Sequence, residues 1–323
     1  MDFEDTEAAL ERAAKTIDAA DHVTLMCHVT PDGDALGSML ALHHALLAAG
    51  RSSVATFPEP FVIGPHYRDL PGLDLITRPA DIPADLGVVV TFDCGALSRL
   101  GNLRPLAESA AELIVVDHHV SNERYGTINV IDPTAAASGV VVRALIDRLG
   151  LHLTHDVAFC LYTALVCDTG RFQYESTTSG VFNLAAELLA FDLPVSTLSR
   201  TLFEEHSFAY LKLLGEALAG ATLVPEQSFV WTAVTQDLLA RHGVTMEEVE
   251  GLIDIIRRTA EADVACVVKE EADGTVKVSL RSVGATDVEH VATANGGGGH
   301  RFAAGFTSHD GIDATVARIR ASL

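Results

Sequence analysis

Ile114-Val115-Val116-Asp117-His118-His119 decides the fold: a continuous apolar run stops at an acid and two imidazoles. A run that is apolar at every position suits a parallel strand covered on both faces. The C-terminal edge of such a sheet is where side chains converge on a ligand. Working outward, residues 87–92 and 128–131 have the same continuous character, and 23–27 reads as a further buried strand. Helical patterns span 6–20, 34–49, 138–149 and 156–167, the second of them stopped by Gly50. Strands alternating with helices to about residue 170 predict an α/β fold, a parallel sheet doubly wound by helices.

A helix over 180–190 follows, and then the rhythm changes. Strands at 222–224, 229–234, 264–269 and 276–281 are expected, with Asp273-Gly274 turning between the last two. Helices at 246–258, 288–293 and 312–323 complete a smaller α+β domain. The expected division is 1–190 for the first domain, 191–207 for a linker containing Pro194, and 208–323 for the second.

Lys and Arg number 22 against 44 Asp and Glu, a net charge of −22. Wrapping a long nucleic acid takes many phosphate contacts from Lys and Arg, so the balance argues against that class. A short phosphorylated ligand is compatible, because a few arginines and bound cations make a local positive site. At 48% hydrophobic the chain can bury sizeable cores, yet no apolar run reaches the ~18 residues of a membrane span. The acidic opening Met1-Asp2-Phe3-Glu4-Asp5 lacks the basic region of a secretory leader, and the cytoplasm is the expected compartment. Cys27, Cys94, Cys160, Cys167 and Cys266 form no C-x-x-C pair and read as small buried residues.

Three more acid-bearing segments join Asp117-His118-His119: His28-Val29-Thr30-Pro31-Asp32-Gly33-Asp34, Asp93-Cys94-Gly95 and Asp168-Thr169-Gly170. Each alone has a plain explanation. An Asp caps a helix, begins a turn, or orients a His. A calcium loop starting at Asp32 fails, because Leu36 holds its fifth position and His43 its twelfth. Together, however, four segments tens of residues apart each put Asp or His at an element's end. Carboxylates crowded in this way repel one another unless a cation neutralises them. Four Asp and two His suit two hard divalent ions ~3.5–4 Å apart, the arrangement used for phosphoester hydrolysis. Imidazole ligands put Mn²⁺ ahead of Mg²⁺.

In this order the motifs resemble the DHH–DHHA1 phosphoesterase family, most closely its branch of nanoRNA, cyclic-dinucleotide and 3′-phosphoadenosine-5′-phosphate hydrolases. The resemblance extends into the second half through Val278-Ser279-Leu280-Arg281-Ser282, Gly296-Gly297-Gly298-Gly299-His300 and Ala303-Ala304-Gly305-Phe306. It implies that His28, Asp32 and Asp93 hold one metal, and Asp34, Asp93, His118 and Asp168 the other. Asp93 would bridge the two, His119 would face the scissile phosphate and Asp117 would fix an imidazole. Arg281, Ser282, Gly297, Gly298, Gly299 and His300 would clamp the nucleotide end of the substrate. The glycines fit that role physically, since backbone N–H groups without neighbouring Cβ atoms approach a phosphate closely.

The expected activity is metal-dependent hydrolysis of short oligoribonucleotides and cyclic or linear dinucleotides, with 3′-phosphoadenosine 5′-phosphate as a further substrate. A homodimer is expected from the family. Three alternatives compete. A long-strand exonuclease of the same superfamily needs an extended basic channel, and a manganese pyrophosphatase has a different second domain. A non-catalytic nucleotide sensor should lack metal ligands, whereas all six are present.

Overall fold

The computed structural model describes residues 5–323, so most of the acidic opening lies outside the described residues. The chain divides into two compact units, one running to Glu204 and the other beginning at Glu205. Among the described residues no helix is long and apolar enough to cross a membrane.

The first unit runs α1 (Thr6–Asp18), β1 (His22–Cys27), α2 (Gly33–Ala48), β2 (Ser52–Thr56), β3 (Val88–Phe92), α3 (Arg104–Ser109), β4 (Leu113–Asp117), β5 (Ile128–Ile131), α4 (Ser138–Arg148), α5 (His155–Asp168), α6 (Ser179–Leu189) and α7 (Val195–Phe203). Its sheet is parallel throughout, in the order β2-β1-β3-β4-β5. Alternation along each strand explains the continuous apolar runs. Leu25, Val90, Phe92, Ile114 and Val116 face a large core shared with α1, α2, α4 and α5. Met26, Val89 and Leu113 face the other way, against Leu100, Leu103 and Ala107 from a 3₁₀ segment (Leu97–Leu103) and α3. Both faces are covered, one by thick helical packing and the other thinly. The chain leaves β1 for β2 on one side and returns to β3 on the other, which places a topological switch between β1 and β3.

The helical layer is drawn tight where α2 meets α5. A Cβ on Gly37 would lie 2.5 Å from the Cys160 carbonyl oxygen and 3.1 Å from the Ala164 Cβ. Only glycine allows that approach, and it brings the start of α2 level with the end of α5. The stretch expected as a linker is partly helix α7, whose Leu198 belongs to the first unit's core. An amphipathic turn of helix buries more surface there than an open connection does, despite Pro194.

The second unit runs α8 (Phe208–Ala219), β6 (Thr222–Val224), β7 (Phe229–Val234), α9 (Gln236–His242), α10 (Leu252–Ile256), β8 (Val264–Glu270), β9 (Val276–Ser282), α11 (Val288–Thr293), β10 (Gly298–His300), β11 (Ala303–Ser308) and α12 (Ile312–Ser322). Its mixed sheet has the order β10-β11-β9-β8-β7-β6, with β7 and β8 parallel. The helix expected over 246–258 is instead a 3₁₀ turn (Glu247–Val249) and the short α10, separated at Gly251. Glycine is among the weakest helix formers. Part of the glycine tract is strand β10, paired with β11.

Candidate metal centre

Every acidic or imidazole motif of the first unit ends at the carboxyl edge of its sheet or at a helix end beside it. β1 delivers His28, β3 delivers Asp93, and β4 ends on Asp117 before His118 and His119. Asp32 caps α2, its Oδ1 accepting from the N–H groups of Asp34 (3.1 Å) and Ala35 (3.0 Å). Asp34 lies in the first turn of α2 and Asp168 is the last residue of α5. Asp34 is only 1% exposed and Asp93 3%. Asp93 also holds a left-handed backbone, with φ +52°, a conformation that Asp tolerates better than most residues.

Two imidazoles face this acid group. His28 Nε2 lies 3.6 Å from Asp93 Oδ2 and 3.8 Å from Asp32 Oδ2. His118 Nε2 lies 3.3 Å from Asp168 Oδ2, 3.6 Å from Asp93 Oδ1 and 3.8 Å from Asp34 Oδ2. Asp93 thus offers one oxygen to each ring. Nδ1 of His28 is 2.8 Å from the Val29 carbonyl, and Nδ1 of His118 is 3.1 Å from the Ala135 carbonyl. Those carbonyls fix the hydrogen on Nδ1 and leave Nε2 a lone pair aimed at carboxylates. His28 Nε2 is buried and makes no hydrogen bond. Lone pairs facing carboxylates across such gaps need a positive charge between them. Two ligand atoms each about 2.1 Å from one ion, bound at angles of 90–120°, lie about 3.0–3.6 Å apart. The separations of 3.3 and 3.6 Å fall in that range, and those at 3.8 Å, to Asp32 and Asp34, lie just beyond it. His28 with Asp32 and Asp93, and Asp34 with His118 and Asp168, each bring ligand atoms within 4.8 Å of one another, as a metal site requires.

The electrostatics point the same way. Burial, then the charges of Asp93 and Asp168, push the Asp34 carboxyl well above the usual range. Burial acts likewise on Asp93, but the adjoining imidazoles, His28 first and then His119 and His118, hold it well below. Without a cation, the cluster relieves its repulsion by keeping a proton on one acid and surrendering it from another. His119 is pinned from behind. Its Nδ1 donates to Asp117 Oδ1 at 2.7 Å, and Asp117 also accepts from the backbone N–H groups of His118 and His119 and from the Asn122 amide. Burial works against charge on that ring, yet the Asp117 bond and the nearby Asp93 raise its pKa to about 10.

Residues outside the four motifs complete the centre. The Ser138 N–H donates to Asp34 Oδ2 at 2.6 Å and its hydroxyl to Asp93 Oδ1 at 3.0 Å. The Gly139 N–H and the Ser38 hydroxyl donate to Asp34 Oδ1 at 3.0 and 2.9 Å. The N-terminus of α4 is therefore aimed at Asp34, as helix starts are at anions. The sequence signal for it is faint: two small residues, Ser138-Gly139, opening a helical pattern.

In the second unit, strand register sorts the residues expected to touch nucleotide. Arg281 pairs with Ala303, and Ala303 pairs with His300, so Arg281 and His300 share one row and one face of the sheet. The next row on that face is Ser279, Gly305 and Gly298, a floor of small residues. A Cβ on Gly298 would meet nothing, whereas one on Gly297 would lie 2.1 Å from the Gly305 carbonyl oxygen. Gly297 thus serves close strand packing, and Gly299, equally tight against Ala303 and Ala304, does the same. Ser282 follows Arg281 and so faces the other way. It is 5% exposed, and its hydroxyl accepts from the Gly284 N–H.

Comparison with known proteins identifies the family. Residues 22–165 match the family described as "DHH family, N-terminal domain" and residues 227–323 match the "DHHA1 domain". A bifunctional oligoribonuclease and PAP phosphatase NrnA from Thermus thermophilus is 32% identical over 88% of this chain and 83% of its own length. The protein of the same name from Bacillus subtilis is 27% identical over 90% of each. Among solved structures, an exopolyphosphatase-related protein from Bacteroides fragilis superposes with a TM-score of 0.88 at 25% identity, covering 98% of this chain and 95% of that one. With both family domains in order and a relative above 30% identity along most of its length, this chain belongs to the DHH family, with a DHHA1 domain following.

Proposed function

We propose that this protein hydrolyses phosphoesters of very short nucleotides, with a pair of divalent ions, Mn²⁺ ahead of Mg²⁺, as cofactor. The substrates are oligoribonucleotides of a few residues, cyclic and linear dinucleotides such as cyclic di-AMP and pApA, and 3′-phosphoadenosine 5′-phosphate. The carrying observation is the shared carboxylate: Asp93 turns one oxygen to the Nε2 of His28 and the other to that of His118. The names of the Thermus and Bacillus relatives support the substrate class, and the charge of −22 disfavours long strands.

His28, Asp32 and Asp93 would hold one ion, and Asp34, Asp93, His118 and Asp168 the second. Bound there, such ions lower the pKa of a water nucleophile and polarise the phosphoryl oxygens. Ser138 and Gly139 hold Asp34 and Asp93 in place through three hydrogen bonds. His119, oriented by Asp117, donates toward the charge that builds on the phosphoryl group. Arg281 and His300 flank a small-residue floor that fits a nucleotide end. Purified protein given Mn²⁺ and a panel of pApA, a trinucleotide, cyclic di-AMP and 3′-phosphoadenosine 5′-phosphate should release AMP, read by chromatography. No turnover of any of them overturns the reading.

A further inference from the structure

An arginine reaches the centre from outside the ligand set. Arg99 lies in the 3₁₀ segment Leu97–Leu103, exposed at the surface. Its carbonyl accepts the Val29 N–H at 2.9 Å, which anchors it beside His28. Its Nη2 lies 3.0 Å from His28 Nδ1, the same nitrogen that is 2.8 Å from the Val29 carbonyl. One imidazole nitrogen cannot donate to a carbonyl and accept from a guanidinium at once. The tautomer that aims the Nε2 lone pair at Asp32 and Asp93 spends the Nδ1 hydrogen on Val29. Arg99 then faces an N–H, and its donors turn to solvent or to an anion.

A guanidinium presents five donors in a fork that suits phosphate. It stands behind the His28 ring. The 3.0 Å contact, the width of the ring and a metal–nitrogen bond put it about 7 Å from an ion on Nε2. The His28 ring stands between the two, which screens a phosphate held on the ion and leaves the guanidinium to the neighbouring phosphate.

We propose that Arg99 binds the phosphate next to the scissile one: the 5′-phosphate of the nucleoside whose 3′-phosphoester is cut. This rests on the function proposed above and narrows its substrate class. Both pApA and 3′-phosphoadenosine 5′-phosphate carry a 5′-phosphate and a 3′-phosphoester on one nucleoside, so a single arginine serves diester and monoester alike.

The test compares matched pairs, pApA with ApA and 3′-phosphoadenosine 5′-phosphate with 3′-AMP, for wild type, Arg99→Gln and Arg99→Lys. Arg99→Gln should lose about tenfold more kcat/KM on the 5′-phosphorylated member of each pair, chiefly through KM, and Arg99→Lys should recover part of it. Equal losses within each pair would mean that Arg99 acts through His28, and would overturn the proposal, as would no loss at all. A wild-type protein inert on all four compounds sinks the functional reading itself, and this inference with it.

Discussion

Asp93 combines a left-handed backbone, near-complete burial and contact with both imidazoles. Replacing it with Ala would confound loss of the carboxylate with the cost of a left-handed alanine, about 1–2 kcal/mol. Asp93→Asn avoids this, because Asn tolerates that conformation and can still accept the Ser138 hydroxyl. The substitution should lower kcat about 10³-fold, the several kcal/mol expected when a ligand shared by two ions is lost. Far-UV circular dichroism should stay at the wild-type signal. Activity near wild type would contradict the shared-ligand geometry. At this scale the sequence was legible wherever a residue's chemistry is unusual for its place. His28, Asp93 and Asp117 stood out as polar groups closing apolar runs. Ser138 and Arg99 did not, since a serine opening a helix and an arginine in a turn are ordinary. Their meaning comes from partners 45 and 71 residues away.

The helix pair α2 and α5 shows how element packing sets the metal geometry. Asp34 begins one helix and Asp168 ends the other, and Gly37 fixes how closely the two approach. In an ordinary exposed helix, Gly→Ala stabilises by about 1 kcal/mol. Here the added Cβ meets the Cys160 carbonyl, and overpacking costs about 1–3 kcal/mol. Gly37→Ala should therefore lower the denaturant midpoint and weaken Mn²⁺ binding together. A raised midpoint would show that the helices have room to spare. Strands and long helices of this unit followed from apolar periodicity, a local property. Helices α8 and α9 were missed, although Ser207 and Thr235 cap them through their side chains. In α8 the buried Tyr210, Leu213 and Ala217 keep helical spacing, but the exposed Phe208, Leu211 and Leu218 blur its apolar face, and α9 is only seven residues long.

At the scale of the molecule, the first unit gathers four aspartates about His28 and His118 in a chain that already carries −22. Divalent ions that bind only the folded state stabilise it by RT ln(1 + [L]/Kd), about 2.7 kcal/mol at a hundredfold excess over Kd. Mn²⁺ should thus raise the unfolding temperature of the wild type by several degrees, and a chelator should reverse the shift. Asp93→Asn should show little of it. A wild-type melting curve indifferent to Mn²⁺ and Mg²⁺ would exclude the metal centre whatever the activity. This readout is independent of catalysis and so separates a missing cofactor from a wrong substrate.

Sequence alone determined the inventory: parallel strands from continuous apolar runs, and a set of acids and imidazoles ready for cations, because periodicity and residue chemistry are local. Tertiary structure decided the assignments. It chose which ring faces which carboxylate, turned Ser282 into the core while Arg281 shares a face with His300, folded the expected linker into the first unit, and brought Arg99 behind His28. Those outcomes depend on strand register and helix approach between residues far apart in the chain, where an ångström of packing, such as the room left by Gly37, outweighs any local preference.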